Sequence, residues 1–174
     1  GLTVTADALG KTDEAAKLLD EFHARAKEIG EKVGASGKTA SIVRFMPGET
    51  MESALDAAAP LEAAGIGSMY TRLGENLTNL GEADDIAEHY TGVFDAIKAR
   101  AYRGEVSVKP TQLGLDLDPA LCECNLDRLL DRADARNNFV WIDMESSPYV
   151  ERTIALYRRA RARTSCVGIA LQAY

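Results

Sequence analysis

The sequence predicts an α/β protein: a partial (β/α)8 TIM-like barrel of about four parallel βα units, preceded by N-terminal helices. Four short apolar runs alternate with amphipathic helical stretches at intervals of roughly 30 to 35 residues, which is typical of parallel strands joined by right-handed crossovers. A complete barrel takes about 250 residues and eight strands, so the 174 residues account for about half of one. No Gly-rich phosphate turn follows the first strand, which disfavours a dinucleotide-binding fold.

Composition and charge restrict the partners. The chain is 46% apolar and 27% charged, as in ordinary soluble domains. Its net charge of −7 argues against a nucleic-acid partner, because phosphate surfaces attract basic proteins. Neither a membrane-length apolar run nor a secretory signal is present, so we expect a cytoplasmic protein. Cys122 and Cys124 diverge on a predicted helix and only 2 histidines are available, so no metal site is predicted.

Residues 1–40 are predicted to form a helix and a linker that precede the barrel segment at 41–174. Apolar residues recur at spacings of three and four between residues 12 and 32, which indicates an amphipathic helix. The following "GASGKTA" is a flexible break. Its "GKT" lacks the glycine that a phosphate-binding loop needs five residues before Gly37, because Lys32 occupies that position. A linker is therefore predicted here.

The helices of the barrel segment are predicted from their ends. Gly65 suits the position after a helix, and each pair of a cap residue followed by proline suits a helix start. The basic run "YRRARAR" is predicted to be a solvated helix terminus, where cations complement the helix dipole. The predicted helices run from near Thr50 to Gly65, from about Asp84 to Tyr102, from Asp118-Pro119 onward and from Ser147-Pro148 onward.

Three of the predicted strands carry a polar residue at the C-terminal end. In the run that ends at Lys109, Val106 and Val108 face the helices, so the lysine lies on the opposite face. By the same alternation, Asp143 and Gln172 lie on the matching face of the next two strands. Because parallel βα proteins form their sites at this edge, the three side chains are predicted to share a site. The predicted strands are 68–73, 105–109, 139–143 and 166–174.

A lysine beside a carboxylate has several chemical uses, and the residues alone leave them open. Lys109 can hold an anionic substrate while Asp143 orients it, or it can form a Schiff base with a carbonyl substrate. A plain ion pair at the rim is the alternative without a function. Gln172 suits the carbonyl and N–H edge of a heterocyclic cofactor. A hard-metal site on Asp143 and Glu145 is the least favoured interpretation.

Three motifs occur in a characteristic order: "VSVKPTQLGLDLD", "FVWIDMESSPYVERTIALYRRARAR" and "VGIALQAY". Together with the upstream "RFMPGETMESALDAAAPLEAAGIG" and "LGEN", they resemble the proline dehydrogenase family over Ile42 to Tyr174. The resemblance implies a distorted (β/α)8 barrel that holds non-covalent FAD, oxidises L-proline to Δ1-pyrroline-5-carboxylate and passes electrons to a quinone. It implies that Lys109 contacts the substrate carboxylate, that Asp143 belongs to the same polar cluster, and that Gln172 hydrogen-bonds the flavin ring.

The resemblance also sets limits. Arg72 departs from the family pattern and is assigned no role. The family's later half does not follow the fourth strand, so we expect a truncated barrel segment that is inactive alone and binds FAD weakly. Peripheral association with the inner membrane face and a homo-oligomer are both compatible with the resemblance. The competing hypotheses are a Schiff-base lyase or aldolase that uses Lys109, and a non-catalytic half-barrel that associates with itself.

Overall fold

The computed structural model describes residues 17, 50–74 and 77–171. The helix predicted at 12–32 lies outside these residues apart from Lys17, which is helical and exposed. The predicted linker at 34–40 and the residues Gln172 and Tyr174 also lie outside them. The elements described below belong to a compact unit that begins at Gly48, and the predicted boundary between residues 40 and 41 stays a prediction.

Helices and strands alternate along the described part of the chain. The strands lie in the order β1-β2-β3-β4, and every neighbouring pair is parallel. This confirms the predicted architecture of successive βα units, part of a (β/α)8 barrel. The elements are α1 (Met51–Ala63), β1 (Met69–Tyr70), α2 (Leu80–Ala99), β2 (Glu105–Val108), α3 (Pro119–Arg136), β3 (Val140–Asp143), α4 (Val150–Arg163) and β4 (Val167–Ala170), with 3-10 turns at Pro110–Leu113 and Ser147–Tyr149.

The helix-facing side of the sheet forms the core. Its strand residues pack in one cluster with aromatic and aliphatic side chains from α2 and α3, among them Phe94 and Leu126. Burial of each such side chain stabilises the fold by about 1.5–3 kcal/mol. Val106, Val108, Val140, Ile142 and Val167 are core residues of the strands, as the alternation predicts, each 2% exposed or less. The alternation is clean only in β3: Ser107 of β2 is also buried, and Leu171, predicted to continue the helix-facing side of the last strand, is 69% exposed.

Two helices start where the sequence predicts. Thr50 caps α1: its Oγ1 accepts from the Ser53 amide at 3.1 Å, and Ser53 Oγ accepts from the Thr50 amide at 3.1 Å. Asp118 caps α3, where its Oδ1 accepts from the Ala120 amide at 2.9 Å. Pro119 is the first helical residue, a position that needs no amide donor.

The start predicted for α2 is one turn too late. The helix begins at Leu80 because Asn79 Oδ1 accepts from the Glu82 amide at 3.1 Å. Glu82 Oε2 in turn accepts from the Thr78 amide at 2.8 Å. Leu80 itself is 45% exposed, so no apolar stripe marks this first turn in the sequence.

The start predicted for α4 is also wrong. Ser147 and Pro148 belong to the 3-10 turn, and the helix begins at Val150 without a side-chain cap. A hydrogen bond to the segment before α3 stabilises this turn: the Tyr149 hydroxyl donates to Asp116 Oδ2 at 2.7 Å.

Two rows of ion pairs, which we call the helix seams, join the helices on the outside of the sheet. In the first seam α3 arginines bind acidic residues of α2, and in the second α4 arginines bind acidic residues of α3. The arginines at this end of α4 are exposed, as predicted, and two of them, Arg159 and Arg163, also pair with acidic residues of α3. The pairs of the two seams include Arg128–Glu88 (2.8 Å), Arg132–Asp95 (2.7 Å), Arg136–Asp95 (2.6 Å), Arg159–Asp127 (2.5 Å) and Arg163–Asp127 (2.9 Å).

Among the residues described, none of the helices combines the length and the apolar character that crossing a bilayer requires.

Candidate functional site

The C-terminal edge of β2 and β3 carries a cation and a carboxylate side by side. Lys109 directly follows β2, Asp143 ends β3, and the register pairs Val108 with Ile142 just below them. Lys109 Nζ lies 3.8 Å from Asp143 Oδ2. The side chains are 27% and 37% exposed, so both remain within reach of a small molecule. We call this edge the rim; the structure brings these two predicted site residues together there.

The third predicted site residue, Gln172, lies outside the described residues. Within them, the register places Ala170 of β4 opposite Asp143, and Gln172 comes two residues later in the chain. Its assignment to the flavin ring therefore stays a prediction. The methyl side chain of Ala170 leaves space beside the Asp143 carboxylate.

Below the rim, the same face of the sheet carries an indole over a glycine. The register aligns Trp141 with Ser107 on one side and Gly168 on the other. Trp141 Nε1 donates to Glu105 Oε2 at 2.6 Å, and its ring centroid lies 4.9 Å from that of Phe139. A Cβ on Gly168 would lie 2.6 Å from Trp141 Cζ3, so only glycine fits under the indole.

A buried amide fixes the loop after β1, and the sequence analysis missed it. Gln112 is 1% exposed; its Nε2 donates to Arg72 O at 2.9 Å and to Gly74 O. Tyr90 OH donates to Gln112 Oε1 at 3.4 Å and accepts from the Arg72 amide at 2.9 Å. Burial raises the pKa of the Tyr90 phenol, which keeps its proton available for donation. Both backbone groups of Arg72 are thus bound by side chains.

This capture explains why β1 is shorter than predicted. The sequence predicts a strand over 68–73, whereas the observed strand is Met69–Tyr70. The Arg72 amide and carbonyl bind Tyr90 and Gln112, so the segment leaves the ladder with β2. The sequence shows Gln112 only as a polar residue beside Leu113 and Gly114, with no local signal of its partner Arg72, which is 40 residues away.

Glu145 has a different partner from the one considered for a metal site. Both of its oxygens accept hydrogen bonds from Thr111, Oε2 from the amide at 3.1 Å and Oε1 from the hydroxyl at 2.5 Å. Across the described ranges, no cluster of three or more His, Cys, Asp or Glu side chains could hold a metal ion. Glu145 thus joins the loop after β3 to the turn after β2.

The thiol nearest this turn is not a nucleophile. Burial raises the pKa of Cys122 to about 12, and its Sγ donates to Pro110 O at 3.5 Å. Cys122 is therefore part of the packing beneath the turn.

These features define a class of protein. A parallel βα sheet that presents a cation and a carboxylate at the C-terminal ends of its strands has the arrangement of a (β/α)8 barrel site. A family model described as "Proline dehydrogenase" matches residues 54–174. The chain therefore belongs to the proline dehydrogenase family.

Individual relatives agree with the family match. The chain is 32% identical over 158 residues to Proline dehydrogenase 1 of Bacillus subtilis (strain 168), covering 91% of this chain and 49% of that protein. It is 29% identical over 136 residues to Proline dehydrogenase of Deinococcus radiodurans, covering 75% of this chain and 44% of the relative. The chain thus spans about half the length of the curated relatives it matches.

A solved structure supports the fold. Proline utilization A (PutA) from Bdellovibrio bacteriovorus, crystallised after inactivation by N-propargylglycine, superposes with a TM-score of 0.63 at 21% identity. The match covers 92% of this chain and 19% of that one. At this identity the likeness concerns the arrangement of helices and strands.

Proposed function

We propose that the protein acts in proline catabolism: it oxidises L-proline to Δ1-pyrroline-5-carboxylate with FAD and passes the electrons to a quinone. The observation that carries the proposal is the Lys109–Asp143 pair at the rim of a barrel segment that belongs to the proline dehydrogenase family. The family match favours this hypothesis over a Schiff-base lyase that uses Lys109. The whole activity is proposed here because the chain spans about half the length of its relatives.

Lys109 is proposed to bind the carboxylate of L-proline. Its ammonium group lies at the open edge of the sheet, where a charged hydrogen bond to a carboxylate is favourable. Asp143, 3.8 Å away, is proposed to orient the lysine. The amino acid is thereby held in one orientation, with its ring directed along the inner face of the sheet.

The residues near β4 fit a planar cofactor. The half-buried Trp141 indole covers Gly168, and Ala170 presents only a methyl group on the inner face. A flat, largely apolar surface next to polar strand ends suits a heterocycle that needs both stacking and edge hydrogen bonds. Gln172 is proposed to hydrogen-bond the edge of the flavin. When bound, FAD supplies the acceptor for the two electrons that proline loses.

The proposed partners follow from the same activity. L-proline is the substrate and a quinone the electron acceptor, and no nucleic acid is involved. Because quinones reside in the bilayer, a cytoplasmic protein would reach them by peripheral association with the inner membrane face. We also propose that the protein associates with itself into a homo-oligomer through the edges of the sheet.

The test uses flavin absorbance. The purified protein is mixed with FAD under anaerobic conditions, and bleaching by L-proline and recovery on addition of a quinone are recorded. Pyrrolidine, which has the same ring without the carboxylate, is the matched control. In the full-length native product we expect bleaching with proline and much slower bleaching with pyrrolidine. Equal bleaching rates with proline and pyrrolidine would contradict the proposed role of Lys109. An absence of bleaching in the full-length native product would refute the proposed activity.

The 174-residue chain is tested beside the full-length product wherever the native reading frame is longer. We expect the 174 residues alone to bind FAD weakly and to turn over no proline. A stoichiometric yellow complex with proline:quinone activity from these residues alone would contradict that expectation. Size-exclusion chromatography with light scattering tests self-association, and a folded monomer would count against it.

A further inference from the structure

We propose that the turn Pro110–Leu113 is a clamp that sets the position of Lys109 relative to Asp143. Thr111 and Gln112 are its positioning residues: neither is assigned contact with the substrate, and each acts through the backbone that carries the site. The proposal rests on the proposed function for the role of Lys109. It concerns a part of the chain for which the sequence analysis assigned no role.

The clamp is continuous with Lys109. The lysine is the residue that precedes the 3-10 turn, and its carbonyl accepts from the Gln112 amide at 3.0 Å. Pro110 O accepts from the Leu115 amide at 3.1 Å, which closes the far side of the turn. The position of the turn therefore fixes the position of the Lys109 backbone.

Thr111 ties the clamp to the loop after β3. Its amide and its hydroxyl bind the two oxygens of Glu145. Glu145 is two residues beyond Asp143, at the same end of the strand. Hydrogen bonds to a carboxylate are shorter and stronger than those between neutral groups, so this connection is firm.

Gln112 ties the clamp to the loop after β1. Its NH2 group points at the carbonyls of Arg72 and Gly74, and its oxygen accepts from Tyr90. An amide side chain has two donors at one atom and an acceptor at the other, which is the set that these three partners require. A glutamate would place an oxygen against two carbonyl oxygens.

The spacing at the rim explains why a clamp matters. A direct ion-paired hydrogen bond has a separation of about 2.7–2.9 Å, whereas Lys109 Nζ and Asp143 Oδ2 are 3.8 Å apart. The Thr111–Glu145 bonds join the turn that follows Lys109 to the loop that follows Asp143, through the Glu145 side chain.

Thr111→Val and Thr111→Ser form the matched pair for the test. Valine keeps the shape of threonine and the backbone bond to Glu145 but loses the hydroxyl, whereas serine keeps the hydroxyl. We expect Thr111→Val to raise KM for L-proline about tenfold, with kcat nearly unchanged, because a misplaced lysine weakens binding. Thr111→Ser should stay within about twofold of the parent on the same argument. Equal KM values for the two variants would overturn the proposal.

Hydrogen–deuterium exchange gives a readout that does not depend on activity. Thr111→Val should speed exchange of the residue 111 amide relative to Thr111→Ser, and Gln112→Glu should speed exchange of the Arg72 amide. If the full-length native product oxidises no proline, the proposed function fails, and exchange alone decides whether the clamp exists. If the parent is active but the KM values of the Thr111 pair coincide, the clamp fails while the proposed function stands. Circular dichroism verifies that each variant is folded.

Discussion

At the rim, Lys109 and Asp143 stand 3.8 Å apart on neighbouring strands, whereas in the helix seams Arg159 and Asp127 meet at 2.5 Å. The seams contain many charges, and each arginine described there has an acidic partner within hydrogen-bond range. At the rim, the cation and the carboxylate lie at the C-terminal ends of two parallel strands, and they are further apart than the charges of the seams.

The difference indicates what each region is for. Exposed ion pairs contribute little each, typically about 0–1 kcal/mol, and they act by orienting helices on the sheet. The pair at the rim is the one to which the proposed function assigns the substrate carboxylate. The three predictions that follow test this contrast, beginning with the largest effect.

Removal of the rim cation should have the largest effect. Lys109→Met should lower kcat/KM for L-proline by about 100-fold, since a charged hydrogen bond is worth about 1.5–3 kcal/mol. Asp143→Asn should lower it by about tenfold, because the lysine keeps its charge and loses its restraint. Steady-state kinetics on the flavin-loaded protein measures both effects.

Arg159→Gln is the matched control in the seams. It removes a cation that is closer to its acidic partners than Lys109 is to Asp143. We expect kcat/KM to stay within about twofold. If the seam variant lost as much activity as the rim variant, the contrast between the regions would be wrong.

The surface beneath the rim should be sensitive to shape. Gly168→Ala should destabilise the protein by about 1–3 kcal/mol, because its Cβ would meet the Trp141 ring at 2.6 Å. Gly92→Ala is the control: no atom lies within 4 Å of its Cβ position, and alanine in mid-helix should stabilise by up to about 1 kcal/mol. Urea denaturation gives both values. A Gly168→Ala variant as stable as the parent would show that the indole moves freely.

Loss of an ion pair in the helix seams should have the smallest effect on stability, and this effect should depend on pH. Arg159 lowers the pKa of Asp127 in the folded protein, so the stabilisation is present above the ordinary aspartate pKa and is lost as the pH falls through the folded-state pKa. Asp127→Asn should therefore cost about 1 kcal/mol at neutral pH and nothing in strong acid.

Asp85→Asn serves as the control, since Asp85 is an exposed aspartate of α2 that makes no ion pair with the described residues. Its stability curve should follow that of the parent across the acid range. A pH-independent loss in Asp127→Asn would show that packing, and not charge, explains the effect.

Much of this structure could be predicted from the sequence because the governing signals are local. Alternation of Val106 and Val108 with polar residues fixed the face of β2, and Asp118-Pro119 marked the start of α3. The adjacency of Lys109 and Asp143 followed from parity and strand order.

The rest depended on contacts between residues distant in sequence. The end of β1 is set by Tyr90 and Gln112, which are 18 and 40 residues away from Arg72. No local sequence pattern indicates that distant side chains bind the backbone of Arg72. Similarly, Asp127 is 32 residues from its partner Arg159, so the solvated basic end of α4 could be predicted but its ion pairs with α3 could not.

The brevity of β1 has a consequence for how copies of this protein can meet. An edge strand can pair with a neighbouring chain only where its backbone N–H and C=O groups are unpaired. Immediately after Tyr70 the chain turns away, and the peptide groups of Arg72 are already engaged by an internal phenol and an internal amide. Within the part of the chain that the structure describes, this margin of the sheet therefore offers an incoming strand a template of only two residues.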